Sequence, residues 1–212
     1  MADTPPTRSV KISQDERGGW SSDRPRPGGG PPRPANRTVR CQVLSPAESL
    51  RYSPGSLLVV VSAGGDEAAG LAGRVIQDPA SLLSLDRVRS LLAGRVPDEE
   101  LGERSAELLD AAALKRLEAG EAVVIVTAGI EADERERYVG MASRFRRPCH
   151  LVLVETGSDG LSEEERGSLN KLRRRLEAGE LGEEGFNTVV RVGGASLSDL
   201  RRVVFEPAPS DD

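Results

Sequence analysis

The sequence predicts a three-layer α/β fold, in which a parallel sheet of about five strands carries helices on both faces. Short apolar runs of strand length alternate with longer amphipathic segments along residues 38–205. The strongest run, Leu57–Val61, is apolar at every position, which is typical of a strand buried on both faces. Parallel neighbours need crossover connections, and the helical segments between the runs can provide them.

The chain enters this domain through Thr38–Leu44, where apolar and polar residues alternate, so a short edge strand is predicted. Ser45-Pro46 suits the cap and first position of a helix and predicts a helical turn over 45–53. Pro54-Gly55 is a turn that leads into the Leu57–Val61 strand. Asp66 is a suitable cap for the short helix that follows.

The middle of the domain repeats the alternation. Ser81–Leu85 is predicted as a second strand, and residues 86–92 as a helix. A longer helix over 101–117 places its leucines and alanines near one face, with charges opposite. Gly120 is its expected C-cap, and the buried strand Ala122–Thr127 follows.

The last third adds two more strands. A charged helix over 132–146 is ended by proline, and Cys149–Glu155 is the fourth core strand. A helix over 163–178 leads to the fifth core strand at 187–192. A final helix is expected over 197–204, before an acidic C-terminal tail at 206–212.

Residues 1–37 differ from this pattern in composition. They hold seven prolines and five glycines, including the run RPRPGGGPPRP, and Trp20 is the only tryptophan. Such a segment cannot bury enough apolar surface to offset its ordering entropy, so a disordered tail with polyproline character is predicted. Residues 1–40 carry eight basic and four acidic residues, so +4, whereas residues 41–212 carry 21 and 30, so −9. A solvated linker is favoured over a nucleic-acid contact.

Composition also limits the chemistry. Cys41, Cys149 and His150 provide no set of metal ligands at a usable spacing, so no metal site is expected and the thiols should be reduced. His150 is interpreted as a structural histidine. No apolar run is long enough to span a membrane, and the N-terminus lacks the apolar segment of a signal peptide. A cytoplasmic protein is expected, and the high Arg, Ala and Gly content is typical of GC-rich bacteria.

The segment SLLVVVSAGGDEAAGL, residues 56–71, has the strand, glycine turn and helix with which nucleotide-binding α/β domains begin. A phosphate-binding turn of this kind reads GxxxxGK(S/T). Laid on that pattern from Ser62, the lysine position falls on Ala68 and the hydroxyl position on Ala69. The degenerate loop, Ser62, Gly64, Gly65 and Asp66, therefore keeps the architecture without the phosphate-binding side chains. The acids at its helix start would satisfy the amides that phosphates otherwise use.

Residues 57–204 resemble the P-loop kinase domain of bacterial polynucleotide kinases and of zeta toxins. Asp86-Arg87-Val88-Arg89 stands where that family carries an Asp-x-x-Arg pair. The resemblance implies that Asp86 would take a proton from an acceptor hydroxyl and that Arg89 would hold a substrate phosphate. The segments DAAALKRLEAGEAVVIVTA and LNKLRRRLEAGELGEEGFNTVVRV resemble a helix-and-strand pair and the closing elements of the family.

Two further departures separate the chain from that family. The family's Asp-containing motif after the third strand is replaced by Thr127-Ala128-Gly129-Ile130. Its arginine-bearing lid is shortened to Thr156–Ser162, which contains no basic residue. Lysine, hydroxyl and lid arginines each stabilise charge in phosphoryl transfer, so the loss of all three argues against a kinase.

Three hypotheses follow. The first is a pseudoenzyme without a cofactor that keeps the fold as a surface for an unidentified protein partner. The second is an atypical phosphotransferase that uses ATP and Mg²⁺, with Asp86 and Arg89 acting on a nucleic-acid 5′ end or a small hydroxyl compound. The third is a nucleic-acid-end binding module that uses Arg89 and the basic run of α-helical residues Lys171, Arg173, Arg174 and Arg175. For Asp86 and Arg89, an ordinary surface ion pair is an equally good interpretation.

Overall fold

The computed structural model of the chain describes residues 41–45, 47–63, 65–127, 130–155 and 161–207. The chain divides into two units, Met1–Pro34 and Ala35–Asp212. The predicted N-terminal tail and the end of the acidic C-terminal tail lie outside the described residues. The domain boundaries assigned from the sequence therefore stay predictions, and the fold below is that of the second unit.

The strands of this unit follow the predicted order along the chain. They are β1 Gln42–Leu44, β2 Ser49–Tyr52, β3 Leu57–Ser62, β4 Leu82–Ser84, β5 Val123–Thr127, β6 Cys149–Glu155, β7 Thr188–Gly193 and β8 Arg202–Phe205. The helices are α1 Gly65–Val75, α2 Leu85–Leu92, α3 Asp98–Ala119, α4 Ala132–Arg144, α5 Glu163–Glu177, α6 Leu181–Glu184 and α7 Ala195–Asp199. The predicted α/β class is confirmed.

The main sheet has six parallel strands in the order β1-β7-β6-β3-β5-β4. Its centre is β3, which pairs with β5 on one side and β6 on the other. No residue of β3 is more than 4% exposed. The strand is therefore buried on both faces, as its unbroken apolar run predicts. The segment predicted as an edge strand at 38–44 supplies β1, which lies outermost beside β7.

The two faces of the sheet are covered differently. Helices α3, α4 and α5 pack on one face, where Leu109, Tyr138 and Leu172 belong to the larger apolar cluster. Helix α1 covers the other face together with a two-stranded parallel ribbon of β2 and β8, which adds Leu50 and Val203 to the second cluster. The three-layer arrangement with helices on both faces is thus present, and the ribbon is an addition to it.

The ribbon corrects two sequence predictions. Residues 45–53 were expected to contain a helical turn, yet Ser49–Tyr52 is β2. The helix expected over 197–204 is the short α7, Ala195–Asp199, and Arg202–Phe205 is β8. The two strands pair with each other although about 150 residues separate them, from Ser49↔Arg202 to Tyr52↔Phe205. The helical turn was expected from the Ser45-Pro46 cap, and a pairing over such a separation leaves no local pattern, although Tyr52, Val203 and Phe205 are residue types that favour strands.

His150 and Tyr52 join this ribbon to the main sheet. Their rings stack with centroids 4.4 Å apart, and Phe205 lies 5.9 Å from Tyr52. His150 is buried, and its Nδ1 hydrogen-bonds the Thr188 hydroxyl at 2.8 Å. Burial lowers the pKa of His150 to about 4, because an imidazolium would be charged among apolar neighbours. This is the structural histidine that the sequence indicated.

A buried ion cluster fixes the helices of the larger face. Arg135 of α4 forms a bidentate pair with Glu184 of α6, with both N–O distances 2.9 Å and side-chain exposures of 3% and 4%. Arg175 of α5 also donates to Glu184. The third arm of Arg135 donates to the Ile130 carbonyl at 2.5 Å, beside the carboxyl end of β5. One carboxylate therefore ties three helices and a loop together.

Among the described residues, no helix is long and apolar enough to cross a bilayer.

The histidine predicts a pH dependence of stability. Its folded pKa of about 4 lies below the unfolded value of about 6.5, so the unfolded chain takes up a proton first as pH falls. Stability should be full above pH 6.5 and fall by about 3 kcal/mol between pH 6.5 and 4. Urea unfolding at several pH values should show this loss in the wild type and not in His150→Gln. Parallel curves for the two proteins would contradict it.

The ion cluster predicts a large mutational effect. Glu184→Ala leaves the buried Arg135 guanidinium group without its carboxylate and removes one acid beside the partly exposed Arg175, so the free energy of unfolding should fall by about 3–5 kcal/mol. Glu183→Ala is the matched control, because that side chain is 72% exposed and lies 4.0 Å from the same Arg175. Its effect should stay within about 0.5 kcal/mol. Equal losses in chemical denaturation would show that the cluster has no special role.

Candidate functional site

The candidate site lies where the parallel strands end. In open α/β sheets, ligands bind in a crevice outside the carboxyl ends of the strands. In this sheet the last residues there include Ser62 of β3, Thr127 of β5, Glu155 of β6 and Gly193 of β7. The degenerate loop is at this edge, so the structure places it where the sequence predicted it.

The connection from β3 to α1 is too short to be a phosphate-binding loop. β3 ends at Ser62 and α1 already begins at Gly65, so only two residues join them. In the GxxxxGK(S/T) pattern, four residues between the two glycines wrap the phosphates with their amides. Here Gly65 and Asp66, two of the four corresponding positions, are already helical. Gly64 lies outside the described residues, and Asp66 is the second residue of α1.

The lysine position of the pattern belongs to the core. Ala68 has 0% exposure and is part of the apolar cluster between α1 and the sheet. Ala69 at the hydroxyl position is only partly buried, and Glu67 before them is exposed toward the edge. Ser62, at the first glycine position, is fully buried. Ala68 and Ala69 carry neither an ammonium nor a hydroxyl group at these two positions of the pattern.

A cleft of about 930 Å³ opens at the carboxyl ends of β6 and β7, beside β1. Its apolar wall includes Val43 and Leu44 of β1, and Gly193 and Gly194 form its floor at the end of β7. Val43 is among the exposed large apolar side chains of the described chain. The cleft borders the start of α1 through Glu67.

Charges in this cleft are mostly engaged with one another. Glu155 accepts from Arg173 of α5 and from Arg191 of β7, whose Nε lies 2.5 Å from Glu155 Oε2. Arg191 also pairs with Glu177 at 3.0 Å. Glu67 adds a further carboxylate to the lining. The two arginines are thus neutralised by acids, and the cleft carries a surplus of carboxylate over guanidinium.

The predicted basic run on α5 does not form a single ridge. Arg173 is committed to Glu155 and also donates to Asn170 at 3.0 Å. Arg175 turns to the buried cluster and donates to Glu184. Lys171 and Arg174 are exposed. The four side chains are therefore split between the cleft, the α4–α6 cluster and solvent, because successive helical positions point about 100° apart.

Asp86 and Arg89 form the surface pair that was the simpler interpretation. Asp86 Oδ1 lies 3.5 Å from Arg89 Nη1, and the Asp86 side chain is 83% exposed. Both stand on α2, whose cap Ser84 accepts from the Arg87 amide at 3.2 Å. β4 and α2 lie at the outer side of the sheet, with β5 between β4 and β3. This strand order places β4 two strand spacings, roughly 10 Å, from β3.

Sequence reasoning missed the acidic side chains that shape this edge. Glu155 is the last residue of β6, so the rule of carboxyl strand ends could have identified it. Glu134, in the first turn of α4, accepts from the Thr127 hydroxyl at the end of β5. Glu134 lies seven positions after Thr127 and within a helix, so the rule of carboxyl strand ends does not identify it from the sequence. Of the predicted shortened lid, Thr156–Ser162, residues 156–160 lie outside the described residues. Within the described chain, no three potential metal ligands cluster.

The buried alanine predicts that the phosphate site cannot be restored by single substitutions. Ala68→Lys would force an ammonium group into the apolar cluster and should lower the free energy of unfolding by several kcal/mol without creating ATP binding. Ala69→Lys, one position along the same helix and partly exposed, should cost less than about 1 kcal/mol. Thermal unfolding with and without Mg·ATP measures both. A stable Ala68→Lys that binds ATP would overturn this description of α1.

Comparisons with known proteins place this architecture in a family. No curated protein matches the chain significantly. The solved structure of a proposed kinase from Chloroflexus aurantiacus J-10-fl is similar over 66% of this chain and 86% of that chain, with 15% sequence identity and a TM-score of 0.39. Residues 70–180, just over half of the chain, match the AAA_33 family, described as an AAA domain. The chain therefore belongs to the AAA_33 family of AAA domains, a family of P-loop NTPase-like kinases.

Proposed function

We propose that this chain is a cytoplasmic pseudoenzyme, a kinase-like domain that serves as an interaction or scaffold domain for another protein. The observation that carries the proposal is the start of α1. The helix begins two residues after β3 and buries Ala68 where a phosphate-binding lysine would stand. No phosphoryl transfer and no nucleotide cofactor are part of this function.

Backbone geometry supports the proposal independently of the missing side chains. A phosphate cradle is built from successive free amides in a glycine loop. A connection of two residues is shorter than the four-residue wrap of the phosphate-loop pattern, so the unpaired amides at the start of α1 are the main backbone donors that remain. The matched part of the family also begins only at Gly70, after this region. Both observations favour a fold that is kept without its phosphate loop.

Electrostatics of the cleft point in the same direction. ATP carries several negative charges, and working sites meet them with uncommitted cations. The cleft arginines Arg173 and Arg191 are bound to Glu155, and Glu67 faces the same space. A triphosphate would have to displace Glu155 from two guanidinium groups, and Glu67 would repel it. This arrangement disfavours nucleotide binding.

The two alternatives lack comparable support. The phosphotransferase hypothesis needs Asp86 close to a donor phosphate, yet Asp86 is exposed on α2 and paired with Arg89. The end-binding hypothesis needs free cations, yet Arg173 and Arg175 are committed to acids. A closer relation to polynucleotide kinases and zeta toxins remains a prediction from the Asp-x-x-Arg pair and the neighbouring segments. Both alternatives are outcomes of the experiment below.

The test is a thermal-shift titration of the full chain with Mg·ATP, Mg·GTP and a short 5′-hydroxyl oligonucleotide. A ligand present at 100 times its Kd adds about 2.7 kcal/mol, which corresponds to about 5–10 °C for a chain of this size. We expect no shift with any of the three. A concentration-dependent rise with a nucleotide would overturn the proposal.

If the pseudoenzyme proposal is overturned, a matched set of variants identifies which of the two alternatives is correct. If ATP stabilises the protein, radiolabelled phosphate transfer to the oligonucleotide should be compared in the wild type and Asp86→Ala. Loss of transfer in the variant would establish the phosphotransferase. A shift with the oligonucleotide alone, weakened in Arg89→Ala and by salt, would establish the end-binding module.

A further inference from the structure

Three arginines lie at the edge of the sheet opposite the cleft. Helix α4 ends at Arg144, and Arg146 and Arg147 follow just before β6. The carbonyl of Pro148, next in the chain, accepts the Leu57 amide at the start of β3 at 2.9 Å. Because all strands of the main sheet are parallel, these residues stand at its amino edge, whereas the cleft stands at its carboxyl edge.

Arg146 occupies a backbone conformation that favours glycine. Its φ of 57° makes it the only non-glycine residue with positive φ in the described part of the chain. It follows the C-cap Phe145, where helices usually place a glycine, and its amide donates to the Ser143 carbonyl at 3.1 Å. Glycine would make the same bond without the steric cost. The arginine side chain therefore offers nothing that this backbone requires, and a strained residue of this kind points to a role outside folding.

Arg147 is held in a fixed position beside it. Its Nε donates to the Leu117 carbonyl at the end of α3 at 3.2 Å. A Cβ on Gly120 would lie 2.8 Å from its Nη2, so the absence of a side chain there makes room for the guanidinium group. Gly55 is also close to this guanidinium group, because a Cβ on Gly55 would lie 3.2 Å from Arg147 Nη1. Packing therefore fixes the guanidinium group of the half-buried Arg147 beside these two glycines.

The three arginines stand on a domain that is acidic overall. Residues 41–212 hold 21 basic and 30 acidic residues, and several described arginines pair with a carboxylate. Within the described residues, none of Arg144, Arg146 and Arg147 makes an ion pair at 4 Å or less. The nearby helix end of α3 carries Glu121, which is engaged by Arg116 at 3.1 Å. An uncompensated basic patch on an acidic domain is the result.

We propose that Arg144, Arg146 and Arg147 form a docking site for an acidic segment of a partner protein. Guanidinium groups bind carboxylates through paired hydrogen bonds, and three within four residues can engage a short run of Asp and Glu. The charge of −9 on residues 41–212 repels a long polyanion, whereas a short acidic peptide needs only local complementarity. This docking site does not depend on whether the opposite cleft binds nucleotide. Its test can therefore fail while the proposed function holds, and the reverse is also true.

The experiment uses the full chain and a fluorescein-labelled peptide of ten glutamates, followed by fluorescence anisotropy. The wild type should bind the peptide, with a Kd that rises with salt. Arg144→Ala combined with Arg146→Gly should weaken binding on the order of tenfold. Arg174→Ala is the matched control, because that arginine is exposed on α5 away from the patch, and its Kd should stay within about twofold of the wild type.

A second measurement separates binding from folding. Arg146→Gly alone relieves the left-handed strain, so it should raise Tm by about 2–4 °C while it weakens peptide binding. For Arg146→Gly we therefore expect Tm to rise and the affinity for the peptide to fall. The proposal is overturned if the wild type does not bind the peptide or if Arg174→Ala weakens binding as much as the patch variant does. It is also overturned if a single-stranded oligonucleotide of equal charge binds more tightly at the same salt.

Discussion

The structure depends on the burial of β3 between two covered faces of a parallel sheet. A strand with neighbours on both sides and side chains buried on both faces must be apolar throughout, and Leu57–Val61 satisfies that condition. Because β5 and β6 take their register from this strand, its carboxyl end also fixes where the edges of the site lie. The same burial reaches α1, where Ala68 packs on the sheet at the position that would carry a lysine. Core packing thus extends to the position that carries the lysine in the phosphate-loop pattern.

Charge is distributed in a way that separates the two edges of the sheet. At the carboxyl edge, Glu155 accepts hydrogen bonds from Arg173 and Arg191. The positive charges of both cleft arginines are therefore neutralised by an acid of the same chain. On the larger helical face, Glu184 holds Arg135 and Arg175 in a buried cluster whose removal would leave uncompensated charge. At the amino edge, in contrast, Arg144 and Arg146 are exposed without an acidic partner among the described residues.

Local sequence patterns predicted the elements that bury their own apolar face. The five core strands, the edge strand and the five longer helices follow from periodicity, caps and turn residues, with ends shifted by a few residues. The ribbon of β2 and β8 was missed because its strands lie about 150 residues apart and stabilise each other only after the chain has folded. Glu134 and Arg191 were missed at the site for the same reason, since their partners, Thr127 and Glu155, are set by tertiary contacts. For Asp86 and Arg89 the sequence supported two interpretations, and the structure shows an exposed ion pair on α2.

The sequence by itself determined the fold class, the position of the strand, turn and helix that resemble a phosphate loop, and the absence of lysine and hydroxyl from it. These are local properties, because each is carried by residue types within one short segment. Only the tertiary structure decided which charges are free. Whether an arginine is neutralised depends on acids from distant segments, as Glu155 and Glu184 show. It also revealed the positive φ of Arg146, because a backbone conformation is imposed by the packing of the elements that it connects.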